Sequence, residues 1–334
     1  MAAEMLEQPD RIAMLVRRRR EISDQIRPLF KVPPVGMVVV ARGSSDHAAT
    51  CGAYMLEMAS RRPVAGASPS IQLLYGTEID YEDYVVVAVS QSGRTPEIAA
   101  VLEAAGRSGG RTIAITNDAD SPLAEVADVV VALGVGEEKA VPATKTVTAE
   151  ILVFAMLASA IAPIGIGSED FERLGDQVSA VLSDDAPIAS LADWLLEAGC
   201  FSTTARGLLY GTAAECALKV EETTSLLTTA FSAADLRHGP IAIASRGVPI
   251  VAFAHPGPAA GDVLSLVADL ERRGAAVRLL GPFPGAAAGW DAAAPEALAT
   301  VLGVVRGQQL AHRLALNLER DPDAPQGLEK ITLT

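Results

Sequence analysis

The chain has 334 residues, a length that suggests about two domains; half of them are hydrophobic but only 4% are aromatic, so its core must be mostly aliphatic side chains and alanine. A net charge of −14 argues against non-specific nucleic-acid binding and against anionic membrane surfaces. Cys51, Cys200 and Cys216 are scattered and form no CxxC pair, which argues against a disulfide framework or a zinc cluster and fits a reducing cytoplasm.

The opening MAAEMLEQPD lacks the basic-then-apolar pattern of a signal peptide. A helix is expected over Met5–Phe30, with the basic run Arg17–Arg20 on a solvated face beside Glu21 and Asp24. From Gly36, GMVVVAR reads as a strand and leads into a helical pattern, GSSDHAATCGAYMLEMAS. YVVVAVS leads to RTPEIAAVLEAAGRSGG, and RTIAITN leads to SPLAEVADVVVAL, again read as strand then helix. The order β-α-β-α favours a parallel sheet with helices on both faces. The uncharged run Ile151–Gly167 is short, Ala-rich and broken by Pro163, so a buried helix is expected there and not a membrane span.

The turn Ser90-Gln91-Ser92-Gly93 joins the apolar strand to the helix that follows. It has two readings: an ordinary helix cap with a turn glycine, or a cradle in which hydroxyls and free helix N–H groups hold an anion. The second half bears on the choice, because it repeats the plan at an offset of 164. Ala41–Gly43 recurs as Ala205–Gly207, the Val85 strand falls on Pro249–Gly257, and RTIAITN falls on Ala275–Gly281. In that copy Ser45, Ser90, Ser92 and Thr95 become Leu209, Ala254, Pro256 and Ala259. The plan persists while the hydroxyls are lost, which favours the anion cradle.

The second copy carries its own polar cluster. Glu215, Lys219 and Glu222 at i, i+4 and i+7 share one helix face, either as a surface ion-pair helix or as a site. His238 precedes Gly-Pro in a loop, where a lone histidine can be structural or catalytic; His47, His255 and His312 carry no further signal, and His312 reads as a helix-surface residue.

Five pieces in order, ARGSSDHA, SQSGRTPE, VPATKTVTAE, ALKVEETTSLLTTAFSAADLRHGPIAI and the tail DPDAPQGLEKITLT, resemble the double-SIS (sugar isomerase) family, in particular its amino-sugar phosphate isomerase halves. The resemblance implies an α/β fold of two tandem domains, each a five-stranded parallel sheet flanked by helices in a flavodoxin-like three-layer sandwich. The expected division is an N-terminal helix (1–30), a first domain (31–166), a helical linker (167–199), a second domain (200–320) and a tail closing the active site (321–334).

The same resemblance implies roles. Ser45, Ser90, Gln91, Ser92 and Thr95 would bind the sugar's phosphate, and Gly43, Ser44, Val141 and Ala143 would lie beside the sugar. Glu222 would shuttle a proton between C1 and C2, His238 would open the pyranose ring, and Lys330 could form a Schiff base, with Glu215 and Lys219 nearby. A carboxylate suits the proton shuttle, an imidazole suits ring opening near neutral pH, and an amine suits imine formation. No metal or cofactor is expected. In this family the histidine arrives from the neighbouring subunit, which implies a homodimer; a small-molecule sugar phosphate is the expected partner, without nucleic acid or membrane. Ala143 stands where the family's amino-sugar phosphate synthases have a serine, and Arg42 and Arg94 add charge near the phosphate loop where those synthases usually lack it. The glutaminase domain of the synthases is not seen ahead of the isomerase-like region, so the expected reaction is breakdown of glucosamine 6-phosphate in the cytoplasm. Alternatives are deglycation of a fructosamine 6-phosphate, isomerisation of another aldose or ketose phosphate, and a sugar-phosphate sensor without turnover.

Overall fold

The computed structural model describes residues 1–330 and divides into two compact units. One comprises Arg11–Glu137 and Thr146–Ile166 with Glu329 and Lys330; the other comprises Met1–Asp10, Glu138–Lys145 and Gly167–Leu328. They are called here the first-sheet and second-sheet units.

In chain order the elements up to the first sheet's last strand are α1 (Ala2–Arg17), α2 (Arg19–Ile26), β1 (Met37–Val40), α3 (Ser44–Ser60), β2 (Val64–Gly66), α4 (Pro69–Leu73), β3 (Val85–Val89), α5 (Pro96–Arg107), β4 (Arg111–Thr116), α6 (Pro122–Glu125) and β5 (Val129–Ala132). The five strands are parallel in the order β2-β1-β3-β4-β5. All five residues of β3 are buried, as a strand covered on both faces must be, which is why it reads as an unbroken Val/Ala run. Val86, Ala88 and Ala114 pack with Ile98, Val101, Leu102 and Ala105 of α5 on one side.

Two expectations need correction in this unit. The run after Ser121 is not one helix. Ser121 caps α6 by accepting from the Ala124 N–H, but the helix ends after Glu125, Asp128 takes the backbone N–H and hydroxyl of Thr112, and Val129–Val131 pair in the sheet as β-branched residues prefer. The N-terminal helix is broken at Arg18, whose guanidinium donates to the Ala132 carbonyl at 2.8 Å at the end of β5, so the basic run is partly tethered and not wholly solvated. The uncharged run lies largely in α7 (Lys145–Ile161), whose residues Ile151–Ala158 are buried. Among the described residues no helix is long and apolar enough to cross a membrane.

The second-sheet unit continues with α8 (Ser168–Ser183), α9 (Ala186–Leu195), β6 (Cys200–Ala205), α10 (Tyr210–Thr224), β7 (Leu227–Ser232), α11 (Ala233–Arg237), β8 (Ile250–Phe253), α12 (Ala260–Arg272), β9 (Val277–Leu280) and α13 (Glu296–Asn317). Its parallel sheet has the order β7-β6-β8-β9. Among the described residues, four strands stand where five were expected. The counterpart of β5 at the 164 offset is Ala-Ala-Pro-Glu (293–296), and Pro295, which cannot donate to a ladder, instead occupies the cap position of α13.

The offset is otherwise built into the backbone. Met37 pairs with Val85 and Ser202 with Ile250, each 48 residues apart; Met37 pairs with Val64 and Cys200 with Leu227, each 27 apart. Gly43 and Gly207 both take a left-handed turn, at φ 59° and 63°. Helices α3 and α10 both end in a left-handed residue, Arg61 at 54° and Ser225 at 55°.

Candidate active site

In a sheet of order 2-1-3-4-5 the chain reverses direction across the sheet between β1 and β3, and loops leaving the carboxyl ends of those two strands open a crevice. The expected phosphate residues leave from these two strands. After β1, Gly43 turns the chain at φ 59° and ψ −134°, so that Ser44 and Ser45 open α3 with first-turn N–H groups that have no partner within the helix. After β3, the Ser90 hydroxyl accepts from the Gly93 N–H at 3.2 Å, and the Ser92 hydroxyl accepts from the Arg94 N–H at 3.2 Å. The Gln91 carbonyl accepts from the Asn117 N–H, which fixes the loop against the end of β4.

Gly93 is required twice over. Its φ is 62°, and a Cβ there would overlap the Ser121 hydroxyl. Thr95 sits at the cap position of α5, with Pro96 next, yet its side chain makes no cap hydrogen bond. The plain helix-cap reading therefore does not account for this hydroxyl. Arg42 and Arg94 are each held by a carboxylate, Glu97 and Asp118 respectively, both at 2.8 Å.

Glu150 carries no role in the reading of the sequence, yet its carboxylate, 1% exposed on α7, accepts the Ser45 hydroxyl at 2.9 Å. The available signal was a lone acid at the head of an uncharged helical run, a placement that burial permits only with partners.

In the second-sheet unit, Glu215, Lys219 and Glu222 do share one face of α10. Lys219 is fully buried; its ammonium lies 3.6 Å from Glu215 Oε1 and is hydrogen-bonded to Glu222 Oε2. Burial pulls the Lys219 pKa down, but the charges of Glu215, Glu222 and Glu138 outweigh it and hold the lysine above its ordinary value, as a fixed cation. Glu222 is the member of the trio that reaches open space, with 22% of its side chain exposed on a cavity of about 410 Å³ lined also by Thr223, Ser225, Arg320 and Asp321. The surface ion-pair reading thus fails for Glu215 and Lys219, which are buried to within 1%.

Val141 and Ala143 lie half-buried on the loop between Glu138 and Lys145, where the Val141 N–H donates to the Asp323 carbonyl at 2.9 Å. The Glu138 carboxylate accepts the backbone N–H and the hydroxyl of Thr144, at 2.9 and 3.2 Å. A single acid in a loop of mixed composition gives little sequence warning of such a role. His238 is exposed at the end of α11, where its backbone N–H donates to the Asp235 carbonyl. Lys330 is half-buried, the last residue described, and assigned to the first-sheet unit. Of the remaining histidines, His255 is buried, joined to Trp290 Nε1 and the Ala294 carbonyl, with its pKa lowered by burial. His312 is half-buried, with its pKa lowered by burial, which corrects the helix-surface reading.

Residues 36–160 and 197–280 match the SIS domain. The glutamine–fructose-6-phosphate aminotransferase (isomerizing) of Thermococcus kodakarensis is 31% identical over 349 aligned positions, covering 99% of this chain; the chain spans 57% of that relative's length. Among solved structures, a proposed phosphosugar isomerase of Silicibacter pomeroyi DSS-3 is 28% identical with a TM-score of 0.84, covering 97% of this chain and 99% of the other. A glucosamine-6-phosphate deaminase of Thermotoga maritima shares the fold at 21% identity and a TM-score of 0.73, covering 98% and 100%. With more than half its length matched, with both matched segments falling on the two parallel sheets, the chain belongs to the SIS domain family.

Proposed function

We propose that the protein is a phosphosugar isomerase that acts as a glucosamine-6-phosphate deaminase, converting glucosamine 6-phosphate and water to fructose 6-phosphate and ammonia. The observation that carries the reading is the pairing of a half-open carboxylate, Glu222, with a buried cation, Lys219, on a helix of a SIS unit. An ionised carboxylate can accept a proton from carbon, and a buried cation hydrogen-bonded to it holds it in place for that step.

In this reading the phosphoester rests on the hydroxyls of Ser45, Ser90, Ser92 and Thr95, the amide of Gln91 and the first-turn N–H groups of α3 and α5. Gly43 and Ser44 border the sugar, as do Val141 and Ala143. His238, supplied by a second subunit of a homodimer, moves the proton that opens the ring. Glu222 takes the C2 proton of the open amino aldose and returns it to C1. The enolamine so formed becomes a ketimine, water adds to C2, and ammonia leaves to give the ketose. Water is the only co-reactant, so Lys330 need not form an imine; it serves as a tail contact to the sugar. Glu215 fixes Lys219 from the far side.

The experiment is ammonia release from glucosamine 6-phosphate with fructose 6-phosphate quantified in parallel. Equal yields, lost in Glu222→Gln, support the reading. Thermal stabilisation by the sugar without turnover overturns the deaminase and leaves a sugar-phosphate sensor. Ala143 favours a second substrate class: a methyl in place of a hydroxyl leaves room at the sugar, so fructosamine 6-phosphates are the next compounds to assay.

A further inference from the structure

Helix α1 carries three polar side chains on one face, Glu4, Glu7 and Gln8, at i, i+3 and i+4, and all three reach toward the loop that bears Val141 and Ala143 or its anchors. The Glu4 carboxylate is 7% exposed and accepts the backbone N–H groups of Lys139 and Ala140, the latter at 3.3 Å. Glu7 pairs at 3.0 Å with the ammonium of Lys145, itself 2% exposed. Gln8 is fully buried; it donates to Gln308 Oε1 of α13 at 2.9 Å, and Gln308 in turn donates to the Thr144 carbonyl at 3.1 Å. Gln8 also donates to the Met5 carbonyl of its own helix, at 3.2 Å.

None of these groups has a part in the proton transfer, yet burying a carboxylate and two amides is costly unless each is hydrogen-bonded. They hold both ends of residues 138–145, and the stretch between those ends is left to Val141 and Ala143. We propose that Glu4 and Gln8 are positioning residues that set the conformation of the 138–145 loop and so the grip of the enzyme on the sugar, as distinct from its phosphate. This rests on the reading of Val141 and Ala143 as sugar neighbours.

The test uses the full chain and four variants: Glu4→Ala, Glu4→Gln, Gln8→Leu and the double Gln8→Leu/Gln308→Leu. Amide hydrogen exchange is followed across residues 139–144, and affinities for fructose 6-phosphate and inorganic phosphate are measured by titration. Glu4→Ala is expected to speed exchange of the Lys139 and Ala140 amides by about tenfold, as loss of one such hydrogen bond would. It weakens fructose 6-phosphate by a similar factor and leaves phosphate unchanged. Glu4→Gln, which keeps an acceptor, restores most of both. The double variant removes both amides together, so it recovers thermal stability relative to Gln8→Leu while the sugar affinity stays low. Unchanged exchange at 139–144, or sugar and phosphate affinities that fall in parallel, overturns the proposal. Absence of ammonia release by the unaltered protein overturns the deaminase instead, and the ratio of the two affinities still judges the loop.

Discussion

The turn after β3 and its counterpart after β8 are built on the same plan and have reached opposite ends. In the first, hydroxyls line the loop, Gly93 is forced by a left-handed backbone and a close neighbour, and the cap hydroxyl of Thr95 makes no helix bond. In the second, the space is filled from within. The Glu296 carboxylate lies where a Cβ on Gly257 would stand, Asp262 in the first turn of α12 is held by Arg237 at 2.6 Å and faces Arg206, and His255 is tied to Trp290. A helix N-terminus attracts negative charge whatever its source. In the proposed reading the first copy leaves that attraction for a ligand, while the second meets it with its own side chains. Two units on one backbone plan can thus be put to different use, and in the proposed reading the chemistry falls to α10, the counterpart of α3.

That division has consequences of decreasing size. If chemistry belongs to the second-sheet unit, Glu222→Gln lowers kcat by about 10²–10⁴-fold, the range of general acid–base catalysis, while the inhibition constant for inorganic phosphate is unchanged. Equal damage to both would break the comparison.

The two glycines differ next. Gly93→Ala forces a left-handed alanine into the Ser121 hydroxyl and should cost about 1–3 kcal/mol in denaturant unfolding, with loss of phosphate binding. Gly257→Ala meets only the movable end of Glu296 at an ordinary φ and should cost clearly less.

The helix caps differ by less again. Ser232 accepts from the Asp235 N–H at the head of α11, so Ser232→Ala should cost about 1 kcal/mol. Thr95→Ala, which breaks no cap bond, should stay within about 0.5 kcal/mol in stability yet weaken stabilisation by phosphate.

The smallest effect concerns pH. Burial raises the Glu296 pKa, so the folded state holds its proton more tightly than the unfolded chain does. The contribution is present below the ordinary glutamate value and is lost as pH rises through the folded one. Glu296→Gln should therefore match the unaltered protein in acid and become the more stable of the two toward neutral pH, as read by thermal unfolding.

Much of this was legible in the chain. Unbroken Val/Ala/Ile runs marked β1, β3 and β4 because strands covered on both faces need no polar alternation. The 164 offset carried over into strand register because an internal copy keeps its turn glycines and helix lengths. Hydroxyls missing from the second copy singled out the loop at Ser90 as the one to test for an anion. What stayed hidden was tertiary. Val129–Val131 could not be told from a helix end by pattern alone, and Pro295 ended the fifth strand of the second sheet by a local veto. Glu138, Glu150, Glu4 and Gln8 gave almost no signal, since a buried polar group is recognised by its partner, which lies far along the chain.

The shared register makes the second unit a scaffold with a known vacancy plan. Writing the sequence of residues 90–95 onto 254–259 would return serine, glutamine and threonine side chains to backbone already set at the same strand spacing. Two obstacles are visible: Glu296 must be shortened to clear the loop, and His255 must give up its bond to Trp290. In the proposed reading, a chain rebuilt in this way would carry two anion cradles on one repeated plan, and the number of phosphates it takes up would count how far that backbone plan alone sets the site.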